Sequence, residues 1–156
     1  DGTGLQRLLT SGGIDTEASF TPDGKALLFS SDRGGSPQIY RLTIATGAVE
    51  RMTFEGGHNV SPRATPDGKG FVFVRRDGGR FMIAIQDYAT RQVQLLTEGP
   101  LDESPSIAPN SKLIIYAAQQ GQRGILAGVS SDGRVKQRLV SPAADVREPA
   151  WGPLPR

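Results

Sequence analysis

One turn returns along this chain at a nearly fixed interval, and that interval restricts the folds open to it. Thr21-Pro22-Asp23-Gly24-Lys25 reappears as Thr65-Pro66-Asp67-Gly68-Lys69 and, altered, as Ala108-Pro109-Asn110-Ser111-Lys112, with a last trace at Gly152-Pro153. The prolines at 22, 66, 109 and 153 stand 44, 43 and 44 residues apart. A period of about 40–45 residues built from strand-like segments is the mark of propeller blades. Proline sets φ at the first corner, and Asp-Gly or Asn-Ser tolerates the left-handed position of a tight hairpin, so the turn itself is structural.

Each turn leads into a continuous apolar run: Ala26-Leu27-Leu28-Phe29-Ser30, then Phe71-Val72-Phe73-Val74, then Leu113-Ile114-Ile115-Tyr116-Ala117. Such runs suit strands covered on both faces. Third strands are expected at 38–42, 82–85 and 126–129, and more polar fourth strands at 49–53, 93–97 and 135–139. Polar residues alternate with apolar ones in the fourth strands, as on an outer edge with one face in water. The fold class read from this pattern is all-β, a β-propeller of four-stranded antiparallel blades covering 1–156. The blades fall at about 15–54, 59–97 and 102–140.

The chain ends obey the same register. Residues 4–10 match a fourth strand without its first three, and 148–153 match a first strand without a following blade. On this register Trp151 takes the place of Phe20, Ala64 and Ile107, which makes core packing its expected role. Propellers close with about four to eight blades, so three complete blades do not close alone. Either the chain is part of a larger, six-bladed ring or two copies meet as a homodimer to complete one.

Composition narrows function mainly by exclusion. The 156 residues contain 20 glycines, 11 prolines and no cysteine, so disulfides and thiolate chemistry are ruled out. A formal charge of +2, from 18 basic and 16 acidic residues, is no nucleic-acid footprint. No apolar run approaches the roughly 18 residues of a spanning helix. His58 is the only histidine, without the spaced partners a metal site needs, and no Gly-x-Ser-x-Gly elbow occurs. The reading is therefore no enzyme, no cofactor and no metal.

Candidate binding residues lie in the loops leading into the innermost strands, which ring one mouth of a propeller channel. These are Asp15, Thr16 and Glu17; His58 and Asn59; Asp102 and Glu103; and Asp145, Arg147 and Glu148. Polar loops on a rigid scaffold are where binding residues concentrate. Asp15, Asn59 and Asp102 occupy equivalent positions. Asp and Asn also cap loop backbone, and for Asp15 and Asp102 the two readings weigh equally. Glu103, Arg147 and Glu148 have longer side chains, less suited to capping. Arg75, Arg76 and Arg80 form a small basic patch, read as a solvated loop, and Tyr40 and Tyr116 read as core.

With these motifs laid out, the chain resembles the C-terminal propeller portion of the TolB family, part of the Tol–Pal system. The resemblance rests on Pro22-Asp23-Gly24-Lys25 with the run to Tyr40, on Arg51-Met52-Thr53-Phe54-Glu55-Gly56, on Gln86-Asp87-Tyr88-Ala89-Thr90, on 101–110, and on Pro149-Ala150-Trp151-Gly152-Pro153. It covers essentially the whole chain. The resemblance implies a non-catalytic six-bladed propeller of the Gram-negative periplasm that binds the lipoprotein Pal and is captured by colicin translocation peptides at its channel. It also implies a TolA contact through an N-terminal domain that this chain lacks. A rival reading is the substrate-gating propeller of a prolyl-oligopeptidase or tricorn-like serine peptidase, and a following Gly-x-Ser-x-Gly domain would favour it. The finish after Trp151 favours the TolB resemblance.

Overall fold

The computed structural model describes residues 3–139 and 145–152. Twelve strands form three separate four-stranded antiparallel sheets, each in simple chain order, and the described residues contain no helix. The first sheet holds β1 (Asp15–Phe20), β2 (Ala26–Ser31), β3 (Gln38–Thr43) and β4 (Ala48–Arg51). The second holds β5 (His58–Ala64), β6 (Gly70–Asp77), β7 (Arg80–Asp87) and β8 (Val93–Leu95). The third holds β9 (Asp102–Ile107), β10 (Leu113–Gln120), β11 (Arg123–Ser130) and β12 (Lys136–Arg138). The chain is thus a run of β-propeller blades.

The hairpin corners explain why the repeat is legible. Thr21 and Gly24 close the first one: Gly24 N–H donates to the Thr21 carbonyl at 2.9 Å and Thr21 N–H to the Ala26 carbonyl at 2.9 Å. Asp23 Oδ1 accepts from the Thr21 hydroxyl and the Lys25 amide. The same bonds recur from Gly68 and Thr65, and from Ser111 and Ala108. The left-handed corner is filled by Gly24, Gly68 and Ser111, with φ of 67°, 71° and 59°.

Consecutive residues of each second strand point to opposite faces and feed different cores. From β6, Phe71 and Phe73 join Leu28, Ile39 and Met52 between blades one and two. Val72 and Val74 join Ile83, Ile114, Tyr116 and Val129 between blades two and three. The apolar runs are continuous because a central strand serves a core on each side. The first strands β1, β5 and β9 are the innermost, with β5 packed against both β1 and β9.

Two sequence expectations are corrected. Residues 4–10 and 148–152 form no strand, because no described residue offers them a ladder partner; residue 153 lies outside the described residues. Trp151 is 41% exposed rather than core, since no sheet covers that face, although its amide donates to Ser106 Oγ at 3.0 Å. The outer face of blade one carries Phe29, Tyr40 and Leu42, with Leu9 and Leu27 against them.

Ile83 is fully enclosed in the core shared by blades two and three. Ile83→Ala is expected to lower the unfolding free energy by about 2–5 kcal/mol, read as a lower urea midpoint at an unchanged slope.

Candidate functional site

All three first strands share an interruption. The ladder slips between Thr16 and Ser19, between Val60 and Arg63, and opposite the Ile115–Ala117 step. At each slip a non-glycine residue takes the left-handed conformation: Glu17 at φ 58°, Ser61 at 56° and Ser104 at 55°. Glu148 follows at 48°, so the same backbone occurs four times at intervals of 44, 43 and 44. Left-handed non-glycine residues cost of order 1 kcal/mol each. These bulges bend the innermost strands near the loops that lead into them.

The first bulge forms a clasp between blades. The Glu17 carboxylate accepts from the Ser61 amide at 2.9 Å, from the Ser61 hydroxyl, and from Ser30 Oγ at 2.8 Å. Ser19 Oγ then donates to the Pro62 carbonyl at 2.9 Å. Burial pushes the Glu17 pKa up, but the donors from Ser61 and Ser30 outweigh it and hold the carboxyl below its ordinary value. The sequence gives no hint of this clasp, because Glu17 and Ser61 differ at one repeat position and only their neighbouring blades bring them together.

The loops leading into the strands are held by buried polar groups. Asn59 is fully buried; its Nδ2 donates to Gln38 Oε1 at 2.8 Å and to the Glu55 carbonyl at 2.8 Å. Gln38 Oε1 also accepts from Thr53 Oγ1 at 2.7 Å, and Thr53 Oγ1 accepts from the Ile39 amide at 2.9 Å. In blade two Thr97 takes the Ile83 amide at the same distance, so the threonines at 53 and 97 are repeat partners. Asp102 is 2% exposed and its Oδ2 accepts from the Gly99 amide at 3.1 Å. A Cβ on Gly99 would stand 2.3 Å from that carboxylate, so a side chain there would have to displace Asp102. Burial pushes the Asp102 pKa up, against hydrogen bonds from Thr97 and Gly99. For Asn59 and Asp102 the structure shows the capping arrangement.

The other candidate residues are exposed or half-buried. Asp15 accepts from Ser11 Oγ at 2.6 Å and pairs with Arg33 at 2.9 Å, while Arg33 lies over the Phe29 and Tyr40 rings. Thr16 is exposed opposite Ser30. His58 opens β5, half-buried, with its ring edge-on to Phe81. Arg147 is exposed and bridges two carboxylates, Asp145 at 3.1 Å and Glu103 at 3.6 Å. Asp145 Oδ1 in turn accepts from the Gly124 amide, and Val146 N–H donates to the Gly124 carbonyl at 3.0 Å. Glu148 is exposed and left-handed, outside any ladder.

The structure therefore brings together Glu103, Asp145 and Arg147 as one charged set, and ties the Glu17 loop to Ser61. Arg75 is no solvated loop residue: its side chain is 16% exposed, reaches Glu55 at 3.8 Å and leaves its Nε buried without a partner. Arg76 lies over Phe81, 5.6 Å from the ring centre. Among the described residues no cluster of three or more His, Asp or Glu side chains is placed to hold a metal ion.

A repeated four-stranded antiparallel blade with its first strands packed side by side defines a β-propeller domain. The family profile described as TolB beta propeller domain (PD40) matches residues 1–155, and the chain belongs to that family. It is 54% identical over 155 residues to the Tol-Pal system protein TolB of Bordetella pertussis, covering 99% of this chain and 35% of that protein. It thus spans about a third of that relative's length. The crystal structure of TolB from Acinetobacter baumannii superposes with a TM-score of 0.87 at 49% identity, over 94% of this chain and 37% of that one. A prolyl endopeptidase structure, 16% identical with a TM-score of 0.64 over 85% of this chain and 22% of that one, shares the fold alone.

Glu17 and Asp102 give opposite pH signatures. The folded pKa of Glu17 lies below its unfolded value, so its stabilisation is full above about 4.5 and is lost as pH falls through the folded value. Asp102 has a raised folded pKa, so its effect favours folding below about 3.8 and fades as pH rises through the folded value. Denaturation from pH 3 to 7 is expected to show Glu17→Gln losing less stability on acidification than the parent, and Asp102→Asn losing less on alkalinisation.

Proposed function

We propose that this chain is the binding portion of a non-catalytic periplasmic scaffold of the Tol–Pal system, taking the lipoprotein Pal at the mouth formed by its inner-strand loops. The observation that carries the reading is the solvent-facing charged set Glu103–Arg147–Asp145 beside the first strands, in a chain of the TolB propeller family. Relatives bear the name of that system.

Binding here needs no bond-breaking chemistry. A stiff ring presents guanidinium and carboxylate groups around an aperture, and a partner's loop or extended segment supplies the complementary groups. Asp15, Thr16, Glu17, His58, Glu103, Asp145, Arg147 and Glu148 are the groups proposed to meet the partner, while Asn59 and Asp102 hold their loops in place from within. Colicin translocation peptides are proposed to compete for the same mouth. Among the described residues no helix is long and apolar enough to cross a membrane.

Two copies of the arc, or the arc and further blades of a longer protein, are proposed to complete a six-bladed ring. The exposed Phe20 of blade one and the exposed Leu8 beside that blade are apolar groups such a neighbour would cover. Multi-angle light scattering of the 156-residue chain is expected to give twice the monomer mass; a folded monomer would remove the homodimer.

For the mouth, Glu103→Lys and Arg147→Glu are each expected to weaken capture of purified Pal by roughly tenfold or more. Unchanged affinity for both variants takes the charged set out of the binding site.

A further inference from the structure

At the end of the arc opposite the mouth, a groove of about 480 Å³ opens between the hairpins of blades one and two. That size lies within the range of small-ligand sites, about 300–1,000 Å³. Pro22, Pro66 and Met52 supply apolar wall, and Asp23, Asp67, Arg41, Glu50, Tyr88 and Arg91 supply polar groups.

The carboxylates are already engaged. Asp23 accepts from Thr21 Oγ1 and the Lys25 amide, Asp67 from the Lys69 amide, and Glu50 from Arg91 at 2.8 Å. Two donors are not. The Tyr88 hydroxyl is enclosed and unpaired, and Arg41 makes no hydrogen bond or ion pair among the described residues, although Asp23 lies within its field. Burial pushes the Tyr88 pKa up to about 12, so the hydroxyl keeps its proton and can donate.

The repeat supplies its own control. The equivalent groove between blades two and three is lined by Ile85, Gln94 and Ser131 where the first has Arg41, Glu50 and Tyr88. The equivalence is fixed by matching bonds: Tyr88 N–H donates to the Lys69 carbonyl and Ser131 N–H to the Lys112 carbonyl. Arg41 pairs across the ladder with Glu50, and Ile85 with Gln94. A second departure lies in the hairpin itself. Arg91 takes the left-handed position, φ 58°, that Gly47 fills at 70° in blade one, and from there it reaches Glu50 of the neighbouring blade. Charged side chains are therefore concentrated at one groove out of two that the fold makes alike.

We propose that this groove is a second binding site, which takes the carboxylate of a short peptide segment on Arg41 and Tyr88. With three carboxylates against two guanidiniums, the lining favours a segment that also carries a positive group, facing Asp23 and Asp67. The carboxylate comes from a chain terminus or from an acidic side chain; both present the same planar pair of acceptors.

The test is a nuclear magnetic resonance titration of the ¹⁵N-labelled chain with three tripeptides. Acetyl-Lys-Ala-Glu-amide carries only a side-chain carboxylate, acetyl-Lys-Ala-Ala only a terminal one, and acetyl-Lys-Ala-Gln-amide none. Saturable shifts at Gly68, Tyr88 and Arg91 are expected with one or both carboxylate peptides, and the tighter of the two names the source. The carboxylate-free peptide is expected to leave these signals in place, as is every peptide at Gln94 and Ser131. Arg41→Gln and Tyr88→Phe are each expected to weaken binding about tenfold, in spectra that otherwise keep their dispersion. Should Arg41→Gln unfold the chain, Arg41→Lys tests the same contact with the charge kept. Equal shifts from the carboxylate-free peptide, no saturable shift with any of the three, or unchanged binding by the variants overturns the site.

Discussion

The structure depends on apolar contact between sheets, not within them. A lone four-stranded blade has two faces to hide, and its hairpins cover neither. Leu28 and Ile39 from blade one meet Phe71 and Phe73 from blade two, and Val72 and Val74 on the reverse of that strand meet Ile114 and Val129 of blade three. Each such side chain contributes about 1.5–3 kcal/mol when fully buried. A blade is therefore stable by virtue of its neighbours, as in other stacked-repeat proteins.

That dependence explains what could be read from the residues alone. The corners at Gly24, Gly68 and Ser111 are local devices, fixed by residues two to five positions apart, so their chemistry stands in the sequence. The apolar runs at 26–30, 71–74 and 113–117 announce strands because both faces are covered. Ends of the chain are different. Residues 4–10 and Trp151 match the repeat in register, yet strand pairing and burial come from a neighbour, and register alone does not supply one.

The candidate site was legible as a region and not as a set of roles. Its loops stand where the repeat places them. Which side chains face water, however, is decided by contacts across blades and across loops. Asn59 looks like any polar loop residue until Gln38, 21 positions earlier, turns out to hold it. Glu17 and Ser61 are joined over 44 residues, and Arg147 and Glu103 likewise meet from successive repeat units. Gln38 was the one available signal: a polar side chain at the head of an otherwise apolar strand.

The left-handed residue at 17, 61, 104 and 148 has a consequence for how such a surface can vary. Its backbone shape is the same with a glutamate as with a serine, so the main chain there does not depend on the side chain it carries. An exchange at one of these four points alters what the arc displays there without reshaping the backbone that carries it. The arc thus works like a keyboard, in which single notes can be retuned while the frame stays as built.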